Sequence, residues 1–148
     1  MTQKALLQGA GDGTAVPAGY VGQVIQAAPA SAVTLAATSN WKSLCSITLT
    51  PGNWLLSGTS VLNVTGGTFT RVGCGLSTLS NDSDTNGNSA VCVLNQSNTG
   101  GNIWVNAGPR YLSVSSNQTV HLLGYLTYSV SGTMDWLATS NIQAIRIA

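Results

Sequence analysis

The side chains able to do acid, base, nucleophilic or metal chemistry are scarce: one histidine, His121, three cysteines, Cys45, Cys74 and Cys92, and four acids, all of them aspartate. Catalysis needs several titratable groups positioned against one another. His121 lies inside the clearest strand pattern of the chain, where a packed or hydrogen-bonded imidazole is expected rather than a general base. A serine nucleophile would need His121 and an aspartate together, yet there is no GxSxG-like elbow to present it. A single histidine with no CxxC pair does not make a zinc site. An odd number of cysteines leaves at least one thiol unpaired within a chain, and all three lie in apolar or small-residue stretches, which predicts reduced core thiols. No catalytic residue, no cofactor and no enzyme activity are expected.

One stretch has ligand-like spacing. Asp82-Ser83-Asp84-Thr85-Asn86-Gly87 repeats the opening of a calcium loop, with oxygen ligands Asp82, Asp84 and Asn86 at alternate positions and a glycine at the turn. Val93 occupies the twelfth position, where the loop needs a bidentate acid, so a solvated loop of turn-forming residues is expected instead. The glycines at 9, 11 and 13 do not form a phosphate loop, since no strand precedes them and no helix follows. The aromatics Trp41, Trp54, Trp104, Trp136, Tyr111, Tyr125 and Tyr128 are open to three uses: core, subunit interface, or sugar-stacking platforms. The last requires an exposed ring beside amide side chains.

The elements that position these residues follow from composition and period. Charged residues are 6% of the chain, against about 25% in ordinary soluble proteins. Hydrophobic residues are 43% with a formal net charge of +1, which is the composition of a chain that folds. Almost no long-range field surrounds such a surface, so charge repulsion does not keep copies apart and an obligate homo-oligomer is expected. The five basic residues are scattered without a cluster, which excludes a phosphate-backbone footprint and hence nucleic acid. The N-terminus lacks the apolar run of a signal peptide, and no stretch approaches the ~18 apolar residues of a membrane helix. Synthesis in a cytoplasm without membrane insertion is expected.

Residues 1–40 read as an extended N-terminal arm rich in Gly, Ala and Pro. Its apolar members Val16, Tyr20, Val21, Val24 and Ile25 are the expected docking contacts, because they would be poorly satisfied in solvent. Residues 41–148 read as one all-β knob, in which short period-two segments alternate with turn clusters. Expected strands are Cys45 to Leu49, Trp54 to Val64, Phe69 to Leu76, Val91 to Leu94, Ile103 to Val105, Tyr111 to Val114, Thr119 to Val130 and Ile142 to Ile147. About eight strands without a helix predict an antiparallel two-sheet jelly roll, with an up-and-down barrel as an alternative and an immunoglobulin-like sandwich as a weaker one, since no Cys–Trp–Cys order with suitable spacing is present. Deleting residues 1–30 is then expected to spare the knob.

Gly11-Asp12-Gly13-Thr14-Ala15-Val16-Pro17-Ala18-Gly19-Tyr20-Val21-Gly22 resembles the opening of small surface proteins and fibre tips of tailed bacteriophages. Leu49-Thr50-Pro51-Gly52-Asn53-Trp54, the long segment 119–130 and the ending Ile142 to Ile147 resemble the trimeric jelly-roll knobs of phage fibres, which share the architecture of tumour necrosis factor and complement globular heads. The resemblance implies a non-enzymatic virion protein, usually a homotrimer, partnered by phage capsid or tail proteins and by a host-surface glycan or receptor. No heptad or collagen-like repeat supplies a shaft. A capsid decoration or short head-fibre protein docked by its arm is therefore preferred, ahead of a tail-fibre tip or tail-needle knob and of a lectin-like sugar-binding module.

Overall fold

The computed structural model describes residues 16–34, 40–82, 90–130 and 132–148. Among the described residues, eight strands run in the order β1 (Val24–Ala27), β2 (Val33–Thr34), β3 (Asn40–Leu49), β4 (Gly52–Ser77), β5 (Ala90–Val114), β6 (Gln118–Val130), β7 (Thr133–Trp136) and β8 (Asn141–Arg146). Every pairing between them is antiparallel. The fold is all-β, as the period-two patterning predicts.

The frame is a hairpin of two unusually long strands, β4 and β5. Segments expected to be separate strands, Trp54 to Val64 and Phe69 to Leu76, run on as one element, and so do the three expected between Val91 and Val114. One edge of β4 carries β5 along its length. The other edge pairs in succession with β8, from Trp54↔Arg146 to Thr59↔Asn141, then β7, then β6, from Thr68↔Val130 to Ser77↔His121. The turn residues that suggested strand ends are irregularities within the ladder: the register shifts between Thr65 and Phe69, next to Gly66 (φ 72°) and Gly101 (φ 93°). Positive φ is available to glycine at no steric cost, so the strands change direction there without ending. As a result the sheet folds over on itself, and Gly58 in the first half of β4 lies against Leu76 in its second half and Leu122 of β6.

The hydrogen-bonded path β1-β8-β4-β6-β3 comes close to closing as a barrel, since the Cys45 thiol of β3 donates to the Ala27 carbonyl of β1 at 3.6 Å. Inside lie Trp54, Leu56, Leu62, Phe69, Leu76, Leu122, Leu126, Trp136 and Ile142, all fully buried. The row Val120, Leu122, Gly124 and Leu126 of β6 faces this core as its alternation predicts. β1 and β2, within the segment read from sequence as an arm, contribute to the sheet: β1 pairs with β8 from Val24↔Ile145 to Ala27↔Ile142, and β2 pairs with β7. Pairing therefore begins well before Leu44, where the sequence pattern first becomes regular. The segment's short runs of alternation were masked by the glycine and proline between them.

Candidate functional site

From Trp54 to Ser60 the even-numbered positions of β4 are buried and the odd-numbered ones face outward. Leu55 breaks the polar pattern expected there. Its cross-strand partners are Tyr111 of β5 on one side and Ile145 of β8 on the other, and Ile145 is in turn opposite Val24 of β1. Val24, Ile145, Leu55 and Tyr111 thus form one row across four adjacent strands, and all are exposed, at 49%, 37%, 39% and 58%. Neighbouring side chains in a sheet face stand close enough to touch, so the four make one surface rather than four isolated positions. Ile147, two residues beyond Ile145, is also exposed. Asn53 accepts the Tyr111 hydroxyl at 2.8 Å, and the next row is Gln26, Gln143 and Ser57. None of these side chains carries a charge at neutral pH.

Five residues were expected to dock the arm. Tyr20, Val21 and Val24 are exposed, Val16 is half-buried, and Ile25 packs against the core instead. Tyr20 and Val21 sit in a turn held by Gly19 N–H to Gln23 Oε1 at 2.7 Å, and that turn leads into β1 through Gly22 N–H to Arg146 C=O at 2.8 Å. They adjoin the apolar row. Val24 belongs to it. Leu55, Ile145 and Ile147 were missed by the sequence reading, although Trp54-Leu55-Leu56 carries the signal: three apolar residues in succession must place one on the wrong face of a half-buried strand.

The aromatics sort into distinct roles. Trp54 and Trp136 are core; Trp41 and Tyr125 are half-buried, with rings 5.0 Å apart and Arg71 over Tyr125; Trp104 and Tyr111 are exposed. His121 Nδ1 lies 3.0 Å from the Ser43 hydroxyl, and burial lowers the imidazole pKa from its ordinary value of 6.5. Cys74 is buried in the core, and burial pushes the Cys45 thiol up to about 11, which keeps it protonated and unreactive. The side chain of Cys92 is outside the described residues. So are Asp84 and Asn86 of the candidate calcium loop, while Asp82 is exposed in a bend. Among the described residues no group of three His, Cys, Asp or Glu side chains is placed to hold a metal ion.

The outward face of β1, β8, β4 and β5 is the surface best suited to a partner. It offers apolar area and hydrogen-bonding groups without charge. A scan of protein-family models finds none that matches the chain, and a search of curated proteins finds none similar to it.

Proposed function

We propose that the protein is a non-enzymatic structural protein that assembles with copies of itself through the row Val24, Ile145, Leu55 and Tyr111. That row is the observation that supports the reading: contiguous apolar side chains on an outer sheet face are what an interface core requires, and charge is depleted at such cores. With a formal net charge of +1, little repulsion opposes bringing two such faces together.

The wider setting rests on the phage resemblance. In this reading the chain is a homotrimeric knob, with a jelly-roll course of strands, seated on a virion as a capsid decoration or short head-fibre protein. Tyr20 and Val21 beside the row draw docking and self-assembly onto adjoining surfaces. Electron microscopy of the parent particle separates a head position from a tail-fibre tip or needle knob.

The direct test is mass by light scattering during gel filtration. The wild-type chain is expected to elute as an oligomer, and Leu55→Asp, which places a charge at the centre of the row, as a monomer with an unchanged β-sheet circular dichroism spectrum. A wild-type monomer at micromolar concentration would overturn the proposal.

A further inference from the structure

We propose that Trp104, with the amides that flank it, forms a platform that binds neutral oligosaccharides. Trp104 is exposed at 59% on the outer face of β5. Asn102 and Asn106, two residues to either side, share that face. Each is tied across to β4: Asn63 Nδ2 donates to Asn102 Oδ1 at 2.8 Å, and the Thr59 hydroxyl donates to Asn106 Oδ1 at 2.8 Å. Val61, directly opposite Trp104 and so on the same face, is fully buried, which places the indole beside packed structure. β5 pairs only with β4 among the described strands, which leaves the platform approachable from the side of the sheet edge.

The composition of the platform selects the ligand. A pyranose ring has an apolar C–H face rimmed by hydroxyls; an exposed indole covers such a face, and side-chain amides both donate to and accept from such a rim. The cross-strand bonds are accepted by the oxygens of Asn102 and Asn106 and restrain both side chains, and each amide also carries Nδ2 hydrogens to donate. Groups already fixed in this way lose little freedom when a ligand binds. None of Thr59, Asn63, Asn102, Trp104 and Asn106 is charged, so a sialylated or sulfated sugar would bring an anion with nothing to pair it. The row through Leu55 differs: its members are apolar across four strands, whereas Trp104 stands between an amide–amide pair and a hydroxyl–amide pair. A protein partner suits the row, and a hydroxyl-rimmed ligand suits Trp104.

The test is titration of the full chain with neutral oligomers of glucose, mannose, galactose and N-acetylglucosamine, read by tryptophan fluorescence, with a sialylated oligosaccharide as the charged control. Trp54 and Trp136 are fully buried but Trp41 is half-buried, so the part of the response that is lost in Trp104→Phe is the part assigned to Trp104. A saturable change with at least one neutral oligomer is expected. Trp104→Ala should weaken binding about tenfold or more, as expected when an anchoring aromatic is removed; Trp104→Phe should retain part of it, and Asn102→Ala and Asn106→Ala should each weaken it several-fold. The proposal is overturned if no neutral oligomer binds at millimolar concentration, if only the sialylated control binds, or if Trp104→Ala binds like wild type. It is also overturned if Trp104→Ala changes the oligomeric state, because Trp104 is then an interface anchor. Repeating the titration on Leu55→Asp separates this inference from the assembly proposal: sugar binding retained by the dispersed protein supports the platform, and binding lost with dispersal overturns it.

Discussion

Trp54 shows how much a single side chain organises here. Its indole N–H donates to the Thr50 carbonyl at 3.0 Å, and the Arg146 guanidinium lies 5.4 Å from its ring centroid while donating to the Thr50 hydroxyl and the Pro51 carbonyl. The turn before β4 and the end of β8 are therefore closed over one fully buried ring. Trp54→Ala is expected to cost about 3–5 kcal/mol in a denaturant titration, the usual range for emptying a buried aromatic site; a loss below about 1 kcal/mol would contradict the burial. His121 makes a second prediction at this scale. Burial favours its neutral form in the folded chain, so as pH falls the unfolded chain takes up the proton first. Stability is full above pH 6.5, the ordinary value, and declines as pH drops below it through the folded-state pKa. Chemical denaturation across this range should show that decline in wild type and a flatter profile in His121→Gln.

At the scale of elements, close packing across the fold-over sets the tolerances. A Cβ at Gly124 of β6 would come 2.5 Å from Trp136 Cε2 and 2.7 Å from its Nε1, and Trp136 is fully buried. Gly124→Ala should therefore destabilise the protein by about 1–3 kcal/mol, the usual cost of overpacking, measured as a lower denaturation midpoint. An unchanged midpoint would show that β7 can shift away from β6. The N-terminal segment obeys similar logic. Truncation through residue 30 was expected from sequence to spare the knob, but it removes β1, strips β8 of one of its two partners and takes Ile25 and Ala27 from the core surface. Loss of cooperative unfolding or aggregation through the bared β8 edge is expected, and a truncated chain as stable as the full one would show that β1 contributes nothing.

For the molecule as a whole, the scarcity of charge has two consequences. Core and surface are both built largely from neutral side chains, so assembly through the Leu55 row should persist between low and high salt, because screening acts on charge pairs and hardly on apolar contact. Gel filtration at two salt concentrations checks this, and dissociation at high salt would point to charged contacts at the interface. The same scarcity means that recognition must rely on shape, stacking and amide hydrogen bonds, which is how the Leu55 row and the Trp104 platform differ from each other on one face.

The antiparallel all-β class, the inward row of β6 and the terminal strand β8 were legible in the sequence because alternation is local: each residue's face follows from its neighbours two places away. The continuity of β4 and β5 was not legible. Gly66-Gly67, Gly100-Gly101 and Gly108-Pro109 read equally well as strand ends or as bends within strands, and only pairing on both sides of β4 decides between them. The candidate site was legible only in part. Tyr20, Val21 and Val24 read as surface contacts while Leu55 was missed, and bringing Val24, Leu55, Tyr111 and Ile145 into one row depends on three separate strand registers. Sequence separation carries no information about which of these positions come opposite one another. Tertiary structure alone made that choice, by the packing that fixes each register.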